Sequence, residues 1–168
     1  MVAIGEIGLD YYWDKSQIEA QKKIFIKQIE IANDLNLPIS VHMREAVLDT
    51  YLIIKQYKRH DLPGVMHCYS GSPESLTDFL DLNMYISLGG PVTFKNARVP
   101  KAVAAKVPLE RLLIETDSPY LAPQAVRGKP NEPKYLHHIA REIASIRGLT
   151  FEEVASATSE NARRLFGI

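Results

Sequence analysis

The chain has 168 residues, of which 46% are hydrophobic and 24% are charged, and its 20 basic and 20 acidic side chains cancel. This composition is typical of an ordinary globular domain, and the charge balance excludes the globally basic surface of a nonspecific nucleic-acid binder. The single cysteine, Cys68, excludes an internal disulfide. The chain shows neither a long apolar run nor a secretion signal. We therefore expect one cytoplasmic domain over 1–168 that does not enter a membrane.

Short apolar segments alternate with helical segments along the chain. Strands are predicted at 2–9, 39–42, 65–69, 84–88 and 112–117. Helices are predicted at 18–35, about 47–54, 73–82, 99–107, 134–147 and 150–166. Capping boxes are predicted for Ser16 with Glu19 and for Thr150 with Glu153. The first strand is continuously apolar around Glu6, which is typical of a strand buried on both faces.

Alternation of strands and helices predicts a parallel sheet with right-handed crossovers. A closed barrel of eight strand–helix units needs about 250 residues, and the chain is roughly 80 residues shorter than that. The expected fold is therefore α/β, a partial TIM barrel with about five of eight parallel strands and flanking helices. Unpaired sheet edges favour association, so we expect low stability or self-association through these edges.

Four side chains of metal-ligand type end the apolar runs: Glu6, His42, His67 and Asp117. The carboxyl ends of parallel strands meet on one rim, where such folds carry their chemistry. Two imidazoles with carboxylates suit a hydrolytic site for zinc, manganese or magnesium. The alternatives are a structural ion pair for Glu6 and hydrogen-bonded core histidines for the other two.

Asp117 is the strongest of these candidates, because it stands just before a proline turn and could bind a metal, deprotonate a water, or both. Glu115 should share its strand face, as a neighbour in the site or as an ion-pair partner of a basic side chain. Cys68 should point away from His67 because strand side chains alternate, so we predict that it packs in the core.

Basic side chains near the same rim are candidates for phosphate contacts. Arg44 follows the second strand, and Arg127 and Lys129 lie in the proline-rich loop after the fifth; for the loop pair, ordinary solvation is an equal alternative. Other histidines are weak candidates, since His60 lies in a polar loop and the adjacent His137 and His138 diverge on a helix.

Several motifs resemble the TatD family of metal-dependent deoxyribonucleases, which belongs to the amidohydrolase-like barrels. These are Gly5-Glu6-Ile7-Gly8-Leu9-Asp10-Tyr11-Tyr12, Pro38-Ile39-Ser40-Val41-His42, His67-Cys68-Tyr69-Ser70-Gly71, Glu115-Thr116-Asp117-Ser118-Pro119-Tyr120-Leu121, Arg127-Gly128-Lys129 with Asn131-Glu132-Pro133, and Asn161-Ala162-Arg163-Arg164-Leu165-Phe166. The resemblance extends over the whole chain.

The resemblance implies a site with up to two divalent ions. Glu6 would bridge them, His42 and His67 would hold one, and Asp117 would hold the other and act on the water, so Glu6 and Asp117 are the expected catalytic residues. The family hydrolyses DNA, commonly as a 3′–5′ exonuclease on single strands or 3′ ends, and some relatives resemble aminoacyl-tRNA deacylases. DNA is therefore the expected partner.

The family's first strand carries a His-x-His pair, and this chain contains none. The resemblance therefore predicts that the first three strand–helix units are absent, that one divalent ion is bound instead of two, and that activity is impaired. The alternatives are another hydrolase on the same scaffold, such as an aminoacyl-tRNA deacylase, or a non-catalytic fragment.

Overall fold

The computed structural model describes residues 1–13 and 15–168. Five parallel strands form one sheet in the order β1-β2-β3-β4-β5, as the alternation predicted. The strands are β1 Ile4–Asp10, β2 Ile39–Arg44, β3 Gly64–Met66, β4 Met84–Leu88 and β5 Leu112–Ile114. The helices are α1 Ile18–Leu35, α2 Val47–Tyr57, α3 Leu76–Asp81, α4 Arg98–Lys106, α5 Leu136–Arg147 and α6 Phe151–Phe166.

The two faces of the sheet are covered differently. On one face the helices bury a large core, in which Phe25 and Ile29 of α1 are fully enclosed with Leu9 and Val41. On the other face a small cluster of Val65, Tyr85 and Leu113 packs against Leu165 of α6. This second face also carries Ser40 and His42, because Ser40 stands in register with Val65 and strand side chains alternate. It is therefore the face on which the candidate site lies.

β1 differs from the prediction that both its faces are buried. It lies at the edge of the sheet, pairing with β2, and a register irregularity falls between Ile4 and Ile7. The side chain of Glu6 is 50% exposed. The apolar run did not indicate two buried faces, because Ile7 and Leu9 are buried in the core on one side whereas Glu6 is exposed. In the described part of the chain β1 and β5 each keep an unpaired edge, and self-association through these edges stays a prediction.

Gly8 allows β1 to approach β2 closely. It pairs with His42 and has a φ of +144°, in a region that favours glycine. A Cβ at this position would lie 1.9 Å from the carbonyl oxygen of His42. Any other residue would therefore push β1 away from the strand that carries His42.

Two strands are shorter than predicted, and the difference matters for the site. β3 ends at Met66, before His67, and β5 ends at Ile114, before Glu115. Beyond them Cys68 and Asp117 have positive φ values of 41° and 57°, which no strand can contain. Apolar composition alone does not reveal where the backbone leaves the extended conformation.

The helix ends test the predicted capping. Thr150 and Glu153 form the predicted capping box at the start of α6, and α5 ends at Gly148 as expected. The box predicted at Ser16 is wrong, because α1 begins at Ile18 after Gln17, which makes no side-chain capping hydrogen bond. α3 begins at Leu76, later than predicted. Among the described residues no helix is long and apolar enough to cross a bilayer.

Lys58, at the end of α2, is a buried cation that supports the fold. It is 5% exposed, and its ammonium donates hydrogen bonds to the carbonyl oxygens of Arg59, Leu62 and Leu82. Burial lowers its pKa to about 8. We expect Lys58→Met to lower the free energy of unfolding by about 2–4 kcal/mol, because it leaves carbonyl groups without donors. Urea denaturation measures this change.

The matched control for this variant is Lys55→Met, on the exposed side of the same helix. Its expected effect is below about 0.5 kcal/mol. Equal urea midpoints for the two variants would show that the three carbonyl contacts do not stabilise the fold.

Candidate metal centre

One cavity of about 530 Å³ collects the four predicted ligands. Glu6, His42, His67 and Asp117 all line it. Their positions on the strands differ from the prediction that each ends a strand. Glu6 lies within the body of β1 and His42 within β2, whereas His67 directly follows β3 and Asp117 follows β5 by three residues. The four side chains converge on the cavity although two of them lie inside strands and two lie beyond strand ends.

Glu6 stands between the two imidazoles. Its Oε1 lies 2.9 Å from His42 Nδ1 and 3.7 Å from His67 Nε2. One carboxylate oxygen of Glu6 therefore faces a ring nitrogen of His42, in β2, and a ring nitrogen of His67, directly after β3. This is the position from which a carboxylate can contact cations held by either histidine.

His67 is enclosed by carboxylates. Its Nδ1 lies 2.9 Å from Glu115 Oε1, and its Nε2 lies 3.5 Å from Asp117 Oδ1. The interaction with Glu115, opposed by burial and supported by the charges of Glu6 and Asp117, raises the pKa of His67 to about 9. With only these groups around it, the imidazole is therefore in its cationic form at neutral pH, with a proton on each ring nitrogen.

Glu115 holds the back of the His67 ring. Its Oε1 has no aligned hydrogen-bond donor among the described residues, although it lies close to Nδ1. The 2.9 Å separation nevertheless makes this contact an ion pair with the protonated imidazole, because attraction between charges depends on distance more than on donor direction. Of the two roles left open for Glu115, neighbour in the site or ion-pair partner, it takes both.

Asp117 presents its carboxylate from a left-handed backbone position. Burial, together with the charges of Glu115 and Glu6, raises its pKa, and the nearby His67 opposes the rise. The loop that carries Asp117 is tied down by the buried amide of Asn131. This amide donates to the carbonyl oxygens of Thr116 at 2.6 Å and Tyr120 at 2.8 Å. Asp117 is therefore supported on both sides.

Asp10 is a contact of the site that the sequence analysis missed. Its Oδ2 lies 3.1 Å from His42 Nε2, so His42 is held between Asp10 and Glu6. Burial acts to raise the pKa of Asp10, but hydrogen bonds from Tyr12 and His42 keep it below its ordinary value. The sequence did contain a signal for this contact. Glu6 and Asp10 are separated by an even number of residues on one strand, which places their side chains on the same face.

Cys68 corrects an expectation. It lines the same cavity as His67 instead of packing in the core on the opposite side. The alternation rule fails because β3 ends at Met66 and Cys68 has a left-handed backbone. Burial, with the charge of Glu115, raises the pKa of its thiol to about 12, so this sulfur stays protonated.

The predicted phosphate-binding residues divide into two groups. Arg44 lines the cavity. Arg127 is not a lining residue and packs its guanidinium 4.4 Å from the ring centre of Phe94, and Lys129 is exposed outside the cavity. His60, His137 and His138 also lie outside it, as expected. Nδ1 of His137 donates a hydrogen bond to the carbonyl oxygen of Lys134 at 2.7 Å, in the tautomer that carries the proton on Nδ1.

The donor set fits a divalent cation by its chemistry. Three carboxylates surround the imidazole of His67, and one proton on that ring offsets only part of their negative charge, so a divalent cation in its place would offset more. Within 1–13 and 15–168, no three such side chains are already arranged to hold an ion. The ligand candidates instead contact one another directly, as Glu6 does with His42. Loading the centre therefore means exchanging these contacts for contacts to a metal.

Comparisons with known proteins agree with this picture. The sequence model of the family described as TatD related DNase matches residues 1–167. A Bacillus subtilis protein named "Uncharacterized metal-dependent hydrolase YabD" is 51% identical over 168 residues, which is 100% of this chain and 66% of that protein. The "3'-5' ssDNA/RNA exonuclease TatD" of Pantoea ananatis is 36% identical over 173 residues, again 66% of its length.

The fold is also that of a solved relative. The crystal structure of YJJV, a TatD homologue from Escherichia coli K12, superposes with a TM-score of 0.92 at 31% identity, covering 100% of this chain and 64% of that one. The chain thus spans somewhat less than two thirds of the length of these relatives.

Proposed function

Because the chain belongs to the family of TatD related DNases, as its motifs indicated, we propose that it is a metal-dependent hydrolase of DNA phosphodiester bonds, acting as a 3′–5′ exonuclease. The observation that supports this most directly is the convergence of two imidazoles and two carboxylates, those of His42, His67, Glu6 and Asp117, on one cavity. The names of two relatives, a metal-dependent hydrolase and a 3′–5′ exonuclease, support the same chemistry.

In this proposal Glu6, His42, His67 and Asp117 hold one divalent ion, for which magnesium, manganese and zinc are the candidates. Such an ion polarises a phosphoryl oxygen and lowers the pKa of a bound water. Glu6 Oε1 already faces both imidazoles. Glu115 and Asp10, which contact the outer nitrogens of His67 and His42, orient the two rings.

Asp117 is proposed as the group that removes the proton from the attacking water. The pKa of Asp117 is raised toward the neutral pH at which the reaction runs. A general base works best when its pKa lies near the working pH. Arg44 is proposed to bind the scissile strand through a phosphate, because it lines the cavity and no carboxylate forms an ion pair with it in the part of the chain that the structure describes. Arg127 and Lys129 are proposed as outer phosphate contacts.

The test is hydrolysis of single-stranded DNA carrying a label at the 5′ end. We expect the full chain to release nucleotides stepwise from the 3′ end when Mg²⁺, Mn²⁺ or Zn²⁺ is added, and to stop when EDTA is added. His67→Ala should remove the activity, whereas His137→Ala, outside the cavity, should keep it.

Hydrolysis that persists in His67→Ala would contradict the proposal. A chain that deacylates aminoacyl-tRNA but leaves DNA intact would place a carbonyl substrate in the same site instead. Absence of both activities would support a fragment that folds without catalysing a reaction.

A further inference from the structure

Two aromatic side chains stand exposed directly after β1. The indole of Trp13 is 77% exposed and the ring of Tyr12 49%. Their ring centres lie 4.9 Å apart in an edge-to-face arrangement. Neither ring contributes to the hydrophobic core, so packing does not explain why large apolar faces are kept in water at this point.

The backbone holds this aromatic pair at the candidate metal centre. Asp10 Oδ1 accepts hydrogen bonds from the backbone N–H groups of Tyr12 at 2.9 Å and Trp13 at 3.4 Å. The other oxygen of the same carboxylate, Oδ2, lies 3.1 Å from Nε2 of His42. One carboxylate therefore fixes the position of the pair relative to a proposed metal ligand.

Arg44 connects the pair to the cavity. Its guanidinium lies 3.7 Å from the ring centre of Tyr12 and 5.4 Å from that of Trp13. It also lines the cavity that contains Glu6 and His67. The rim of the cavity thus carries a cation without an ion-pair partner in the described residues, flanked by two aromatic faces.

We propose that Tyr12 and Trp13 form a stacking subsite for a nucleobase of a single-stranded nucleic-acid end, with Arg44 on the adjoining phosphate. Aromatic faces beside a guanidinium bind single strands because each base offers a π-face and each linkage a negative charge. A paired duplex hides its base faces within the stack, so the subsite selects unpaired ends. This inference rests on the proposed function and adds a base-recognition element to the same site.

Binding can be measured apart from catalysis. Trp13 is the only tryptophan in the chain, so intrinsic indole fluorescence reports on it alone. In EDTA, a short oligothymidylate should quench this fluorescence. By anisotropy of a labelled strand, the oligothymidylate should bind about tenfold more tightly than an abasic strand of the same length, since stacking is lost without bases.

Trp13→Ala should remove most of this tenfold preference, and Trp13→Phe should keep part of it. His67→Ala, which is expected to lose hydrolysis, should keep the preference. Leu48→Ala, which removes a side chain that is 67% exposed on α2, is the control for loss of exposed apolar surface and should also keep it.

Equal affinity for the two strands, no binding of either, or a preference unchanged in Trp13→Ala would each overturn the stacking subsite. Base-dependent binding in a chain that hydrolyses no DNA would support the subsite and refute only the proposed hydrolysis. Hydrolysis of DNA without base-dependent binding would support the proposed hydrolysis and refute the stacking subsite.

Discussion

Replacing Asp117 by asparagine is expected to lower metal-dependent hydrolysis of single-stranded DNA by about a thousandfold or more, because one carboxylate loses two proposed roles. Its Oδ1 faces Nε2 of His67 at 3.5 Å, among the other proposed ligands. An amide of the same shape keeps the contact distance but can neither accept the proton of water nor contribute negative charge.

Asparagine is the informative substitution at this position. Asp117 has a φ of +57°, a left-handed conformation that asparagine tolerates better than most residues. The free energy of unfolding should therefore change little, so that lost activity reports on chemistry. Steady-state hydrolysis at saturating metal, together with thermal unfolding, separates the two effects.

The matched control is Asp34→Asn, on the exposed surface of α1. It makes the same chemical change far from the cavity and should leave hydrolysis unchanged. If Asp117→Asn retained activity within about tenfold of the unmodified chain, the assignment of Asp117 as general base would fail, since that role is worth at least a hundredfold.

Glu115→Gln is expected to have the second-largest effect. The maximal rate of hydrolysis, reached at high pH, should fall by about 10- to 100-fold. Glu115 Oε1 lies 2.9 Å from Nδ1 of His67, on the side of the ring away from Glu6 and Asp117. A carboxylate there holds the proton on Nδ1 and leaves Nε2 for a metal. Glutamine keeps the size of the side chain and removes its charge.

The same variant should change the pH dependence in a direction that the pKa determines. Glu115 is the main cause of the raised pKa of His67, about 9, so its neutralisation should bring that pKa down. A metal competes with the proton for the imidazole. At a fixed, sub-saturating Mg²⁺ concentration, the rate of hydrolysis by the unmodified chain should therefore rise with pH up to about 9. In Glu115→Gln the rate should rise at lower pH, and its maximum should be lower than that of the unmodified chain.

An NMR titration of the imidazole of His67 in the metal-free chain checks the first half of this prediction directly. A purely structural defect would lower the plateau without moving the pKa. Glu110→Gln, at an exposed position before β5, is the matched control. An unchanged pKa of His67 in Glu115→Gln would show that Glu115 does not stabilise the protonated imidazole.

Local signals were sufficient for much of the architecture. Alternation of apolar and helical segments predicted five parallel strands, and capping chemistry predicted the start of α6 at Thr150. These features follow from interactions within a few residues, which a sequence displays directly. The predicted box at Ser16 failed because the helix begins at Ile18, so that Gln17, and not Ser16, occupies the capping position.

The composition of the candidate centre was also readable from sequence, in that Glu6, His42, His67 and Asp117 are chemically unusual within or beside apolar strands. The placement of Cys68 was not. Its prediction assumed that β3 continues, and a backbone φ of +41° turns the thiol into the cavity instead.

The sequence by itself determined which elements form and which side chains can bind a cation, because both depend on residue type and local spacing. Only the tertiary structure decided that Glu115 holds His67 from behind, that Asp10 links His42 to the aromatic pair of Tyr12 and Trp13, and that Arg44 faces the cavity while Arg127 does not. These contacts join residues from different strand–helix units, and their distances depend on strand register and on where each strand ends. Neither quantity is encoded in any single segment.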